Sequence, residues 1–116
     1  MCGIVGFITQ EKTIGSFSRR KWMCDALIAG TVRGDDGTGL FSVGRGLTST
    51  ADWVKQAVDG ATFLSSELAQ ERLGYGVNLD NIWCMIGHNR SATVGKVSTA
   101  NTHPFQEGNI TLVHNG

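Results

Sequence analysis

Glycine interrupts this chain so often that its apolar runs stay short. Sixteen glycines stand against one proline in 116 residues, which makes a compact, loop-rich chain without low-complexity tracts or internal repeats. Residues 2–9 form a short β-branched run bounded by glycine and read as a buried strand. Over residues 18–31 the period changes: Trp22, Met23, Ala26, Leu27 and Gly30 recur at three- and four-residue spacing, which predicts a helix with Ser18 as its N-cap. A glycine-rich turn over 34–39 leads into a strand at 40–43, and residues 53–57 form a further strand. Leu64, Leu68 and Ala69 place a second helix from Thr62 to near Gly74. Residues 81–88 and 109–114 are apolar enough for core strands. Strands and helices interleave without regular βαβ spacing, so an α+β fold with largely antiparallel sheets is expected. No linker divides the chain, and residues 1–116 read as one domain.

Hydrophobic residues make up 41% of the chain, enough for one domain with a modest core. Ten basic side chains balance ten acidic ones, and Arg19-Arg20-Lys21 is the only short basic run. A nucleic-acid surface needs a basic stripe, and none is visible, so no nucleic-acid partner is expected. No apolar stretch approaches the roughly 20 residues of a membrane span, and the N-terminus lacks the zones of a signal peptide. No membrane partner is expected, and the chain reads as cytoplasmic. Cys2, Cys24 and Cys84 are odd in number and widely spaced, which argues against a disulfide framework. Zinc ligands could be drawn from Cys84, His88, His103 and His114. Without a tight C-x-x-C pair, however, no metal site is expected.

Four short stretches remain. "MCGIVGF" places Cys2 directly behind Met1, so removal of Met1 leaves one residue with both a thiol and a free α-amine. "RGDDGTG", Arg33 to Gly39, holds three glycines that permit close backbone approach. Its plainer reading is a strand-entry turn with solvated aspartates. It lacks the Gly-Lys-Ser/Thr end of a phosphate-binding loop. "IGHNRSATVGKVSTANTHPF", Ile86 to Phe105, runs a strand into His88 and Arg90. A guanidinium there is either a surface charge or a clamp for a carboxylate. "ITLVHNG" closes on Asn115 and Gly116, which are either a hairpin turn or a pair of oxyanion donors.

In order, Cys-Gly-Ile, Arg-Gly-x-Asp-x-x-Gly, Gly-His-x-Arg-x-x-Thr-x-Gly with a trailing His-Pro, and His-Asn-Gly resemble the glutaminase domain of the class II glutamine amidotransferases. These belong to the N-terminal nucleophile hydrolases, and the chain is most similar to the glucosamine-6-phosphate synthase and amidophosphoribosyltransferase types. The resemblance runs from residue 2 to residue 116, with little contribution from about 44–81. It implies an αββα sandwich of two largely antiparallel sheets, here an incomplete one.

The resemblance also assigns roles. Cys2, exposed by loss of Met1, becomes the nucleophile that attacks the side-chain amide of glutamine and forms a thioester. Its α-amine, with an ordinary pKa of about 7.7–8.0, takes the thiol proton. Asn115 and Gly116 hold the oxyanion. Arg90 binds the glutamine α-carboxylate with Thr93 as a hydroxyl partner, while Arg33 and Gly34 pack beside the nucleophile at the substrate site. His88, His103 and His114 match motif positions and read as hydrogen-bonders rather than as the base. No cofactor is implied.

Ser91 stands where the hexosamine-type pattern has an aromatic, which alters the packing expected behind the glutamine pocket, and Val94 stands where it has a histidine, which argues against a close match to the hexosamine enzyme. Domains of this type are commonly longer and carry, past His-Asn-Gly, an acidic residue for the substrate amine. The expectation is therefore that these residues are an N-terminal portion, completed by a C-terminal continuation or a second chain. An ammonia-acceptor domain or subunit is expected as partner. The alternative is a non-catalytic domain of the same fold that binds a ligand or partner.

Overall fold

The computed structural model describes residues 1–10, 13–45 and 51–115. Within them the chain runs β1 (Gly3–Ile8), α1 (Ser16–Ala29), a 3-10 turn (Gly30–Val32), β2 (Gly37–Gly44), β3 (Asp52–Gln56), α2 (Gly60–Leu64), α3 (Glu67–Leu73), β4 (Ile82–Arg90), β5 (Phe105–Glu107) and β6 (Ile110–Leu112). The longest strand, β4, takes the interior of a four-stranded sheet ordered β1-β4-β2-β3, with every pair antiparallel. β5 and β6 form a separate two-stranded antiparallel hairpin. The α+β class with antiparallel sheets is what the structure has.

The strand alternation sorts side chains onto two faces. In register across the sheet, Val5, Gly87, Leu40 and Val54 share the face covered by α1. Met23 and Leu27 of α1 pack there with Phe63 of α2, Ala69 and Leu73 of α3, and Met85. Gly87 sets how near α1 can come, because a Cβ there would lie 2.7 Å from Leu27 Cδ2. Burying side chains of this size stabilises the fold by about 1.5–3 kcal/mol each. One residue along, Ile4, His88, Gly39 and Lys55 line the opposite face. There the chain 102–104 crosses β2. A Cβ on Gly37 would lie 2.5 Å from Thr102 Oγ1, and one on Gly39 would collide with the His103 carbonyl.

Several boundaries differ from the sequence reading. The first helix begins at Ser16 with Gly15 as its N-cap, so Ser18 lies inside it rather than capping it. Ser16 is used elsewhere: its hydroxyl accepts from the Leu79 N–H at 2.7 Å and donates to Asp80 at 2.8 Å. Trp22, placed on the buried face, is exposed, whereas Arg19 is fully buried. The Arg19 guanidinium donates to the carbonyls of Ile14, Leu79 and Ile82, which lets its charge sit inside the fold. The second helix is two, because Ser66 caps α3 by accepting from the Ala69 N–H and so starts a new helix axis. The largest difference is at 109–114. Only Ile110–Leu112 is a strand, and it is no core strand: it pairs with β5 alone and leaves Ile110 64% exposed. Among the described residues, no helix is long and apolar enough to cross a membrane.

Candidate functional site

The pairing of β1 with β4 decides where Cys2 sits. Gly3 lies opposite Asn89, so the preceding Cys2 falls beside the end of β4. The Ser91 N–H donates to Cys2 Sγ at 3.3 Å, and the sulfur lies 3.6 Å from the Ser91 carbonyl oxygen. The thiol is half-buried. The turn after α1 closes on the same point from behind. Arg33 Nε donates to the Cys2 carbonyl at 3.1 Å, and its terminal nitrogen reaches Met1 Sδ at 3.0 Å. Gly34 lies flat against the Arg90–Ser91 peptide, where any Cβ would meet backbone on both sides. Arg33 and Gly34 thus touch the backbone of Cys2 and of Ser91, and they line neither cleft described below.

Asp36 is a residue that the sequence reading left as a solvated turn aspartate. Its N–H donates to the Arg90 carbonyl at 3.0 Å, and its carboxylate accepts from the Ala92 N–H at 2.7 Å. The turn residue therefore ties down the chain on either side of Ser91. Its signal in the sequence is the Arg-Gly-x-Asp-x-x-Gly pattern, whose aspartate is Asp36 and not Asp35, though the pattern assigned it no role.

Arg90 ends β4 and is almost wholly buried. Two of its nitrogens donate to the carbonyls of Lys96 at 2.8 Å and Val94 at 2.9 Å, which folds the 91–97 loop around the guanidinium. A guanidinium carries more N–H groups than these two bonds use. Cys2, Arg90 and Thr93 line one cleft of about 320 Å³, closed on its far side by Asn101, His103 and Phe105. A second cleft, of about 380 Å³, adjoins it at Cys2, Ser91 and Thr93 and is walled by Met1 and Asn115. Cys2, Arg90, Thr93 and Asn115 are thus gathered around two clefts that share Cys2, Ser91 and Thr93. Gly116 lies outside the described residues.

The histidines meet each other behind this wall. His88 is fully buried and stacks on His103, with centroids 4.0 Å apart and planes 14° from parallel. Their hydrogen bonds go to the backbone of His114: Nε2 of His88 to its carbonyl at 2.9 Å, and Nδ1 of His103 to its N–H at 3.1 Å. Burial lowers the pKa of both rings. For His103 it does so together with the charges of His88, His114, Arg90 and Lys55, down to about 4. Both rings are therefore neutral at pH 7. Burial acts in the opposite sense on the other thiols, raising the pKa of Cys24 and of Cys84 and so disfavouring their thiolates. Among the described residues, no three His, Cys, Asp or Glu side chains are grouped to hold a metal ion.

Comparison with known proteins finds relatives along the whole chain. The chain is 35% identical over 117 residues to a glutamine–fructose-6-phosphate aminotransferase (isomerizing) of Helicobacter pylori. It is 35% identical over 118 residues to the protein of that name in Buchnera aphidicola, and 32% identical over 120 residues to that of Methanosarcina mazei. Each match covers all of this chain and 16–17% of the relative, so the chain spans about one sixth of the length of the curated relatives it matches. No family model and no solved structure matches it. The relatives carry the name of a fructose-6-phosphate aminotransferase, although Val94 argued against a close match to the hexosamine enzyme and Ser91 departs from its pattern. The two departures sit inside a match that spans the whole chain.

Proposed function

From this likeness we propose that residues 1–116 are the N-terminal portion of a glutaminase domain of the class II glutamine amidotransferases, one that takes ammonia from the side-chain amide of glutamine. The observation that carries this is the gathering of Cys2, Arg90, Thr93 and Asn115 around two clefts that both have Cys2 in their lining.

In this reading Met1, one wall of the second cleft, is removed, and the α-amine of Cys2 accepts the thiol proton. The thiolate attacks the glutamine carboxamide carbon. Electrons move onto the carbonyl oxygen, which is held by the Asn115 side-chain amide and the Gly116 N–H. A preorganised donor of this kind contributes roughly 3–4 kcal/mol. Collapse expels ammonia, protonated on leaving, and leaves a γ-glutamyl thioester on Cys2. Water then attacks that carbon, and thiol and glutamate are released. Arg90 takes the α-carboxylate with Thr93 beside it, while Arg33 holds the Cys2 carbonyl and Asp36 the Ala92 N–H beyond Ser91.

The same reading extends the fold to an αββα sandwich. Gly6, Ile86, Phe41 and Trp53 form a row across the sheet face opposite α1. On that face Ile4 is 47% and Ile8 69% exposed. A second sheet, begun here by β5 and β6 and completed by further chain, would cover it. The names of the relatives make fructose 6-phosphate the candidate ammonia acceptor, bound by a part of the protein beyond these residues.

The test is release of glutamate and ammonia from glutamine, with and without the acceptor portion or a partner supplying it. Cys2→Ala should abolish turnover. Arg90→Lys should raise KM at least about tenfold, because an ammonium cannot reproduce the bidentate fork. Turnover that survives Cys2→Ala would contradict the proposal.

A further inference from the structure

We propose that the stacked His88–His103 pair is a positioning device for Asn115, gripping both backbone groups of His114 and so setting the residue that follows it against the Cys2 cleft. This rests on the reading of Asn115 as an oxyanion donor.

Residues 113–115 follow β6 without regular structure, and His114 and Asn115 are exposed. A segment of that kind has no ladder to hold it and is mobile by default. Yet an oxyanion donor must be held within about half an ångström of productive geometry. The two imidazoles supply the missing ladder: His88 Nε2 bonds the His114 carbonyl, and His103 Nδ1 bonds the His114 N–H. Two bonds on one residue fix both its place and its direction.

The holders are themselves fixed. His88 is fully buried on β4, between β1 and β2. His103 stacks on it and is closed from the other side by the Phe105 ring, with centroids 4.6 Å apart. The His103 backbone rests on Gly39, so close that no side chain fits between. The proton positions agree with the bonds. A carbonyl can only accept, so the His88 proton is on Nε2. An N–H can only donate, so His103 Nδ1 is bare and its proton is on Nε2. Arg90, Lys55 and His114 face the pair, and these cationic or imidazole neighbours, with burial, keep His103 neutral.

Packing alone does not account for His88. An apolar ring would fill the same space, whereas His88 leaves its buried Nδ1 without a hydrogen bond among the described residues. What the imidazole adds is the Nε2 donor to His114.

The test compares ring-keeping with bond-keeping variants. His88→Phe and His103→Phe keep an aromatic stack and lose the bonds. His88→Gln keeps a donor near Nε2, and His103→Asn keeps an acceptor near Nδ1. In glutamine hydrolysis the Phe variants should lower kcat by roughly 10- to 100-fold and change KM by less than about threefold, because the substrate contacts of Arg90 and Thr93 remain. The Gln and Asn variants should recover most of that loss. Nitrogen-15 spectra of the unaltered protein should show both rings neutral with the proton on Nε2. The His114 amide should exchange at least about tenfold faster in His103→Phe. Unchanged kcat in the Phe variants, equal loss in the Gln and Asn variants, or a His88 proton on Nδ1 would overturn the proposal. If the unaltered protein does not hydrolyse glutamine even when completed by its C-terminal continuation or a partner, the glutaminase reading fails on its own. The spectra and the exchange rate then decide: slow His114 exchange that is lost in His103→Phe supports the grip, and exchange that does not change overturns it.

Discussion

Val5, Gly87, Leu40 and Val54 face α1 across the sheet. One residue along the same strands, Ile4, His88, Gly39 and Lys55 face the chain that carries His103. The first row is closed by Met23, Leu27 and Phe63, all buried, with three helices over it. The second is covered only in places, and its interior position is a histidine bonded to backbone rather than an aliphatic side chain. Strand alternation lets one sheet serve both purposes without either face constraining the side chains of the other. Glycine is used on both: Gly87 admits α1 and Gly39 admits the His103 carbonyl. The difference lies in what comes close, a helix side chain on one face and polar backbone on the other.

This contrast can be broken from either side. Leu27→Ala should cost about 2–5 kcal/mol of stability, because it opens a cavity under α1. Ile4→Ala, on the other face, should cost less than about 1 kcal/mol. Denaturant unfolding of the two variants checks both figures, and equal losses would remove the contrast.

Gly39→Ala should cost about 1–3 kcal/mol through overpacking. Its loss of glutamine turnover should be the larger effect, since the displaced segment carries His103. Gly44→Ala is the control, because a Cβ there meets nothing nearer than 3.8 Å. It should leave both stability and turnover close to those of the parent. Parallel thermal melts and activity assays of the two variants make the comparison.

The smallest effect is with pH. The His103 pKa is about 4 in the fold against an ordinary 6.5. The unfolded chain therefore takes up this proton first as pH falls. The contribution of neutral His103 is complete above about pH 6.5 and is lost progressively as pH falls towards 4. Unfolding curves across that window should show a shallower decline for His103→Asn than for the parent.

Much of the site could be read in the sequence, and the reason is local. Cys2, Arg90, Thr93 and Asn115 stand in short motifs whose order along the chain carries the resemblance, and the strand pattern around Ile86 predicted where Arg90 would emerge. What could not be read depends on distant partners. Asp36 stood in the Arg-Gly-x-Asp-x-x-Gly pattern without a role until its carboxylate met the Ala92 N–H. Arg19 sat in a basic run, and only the carbonyls of Ile14, Leu79 and Ile82 explain its burial. The apolar run at 109–114 has the composition of a core strand. Its exposure follows from having β5 as its one partner. The grip of two histidines on His114 joins three positions spread over 26 residues, and no spacing rule marks it.

The central claim is that Cys2 is the nucleophile. Its most direct test is to treat the protein with a glutamine-mimicking electrophile and locate the adduct by peptide mass spectrometry. Cys24 and Cys84 are partly or fully buried with raised pKa values, so both should be unreactive. One adduct is expected, on Cys2, at the N-terminus of a chain that has lost Met1. Labelling chiefly on Cys24 or Cys84, or on Cys2 with Met1 still attached, would contradict it.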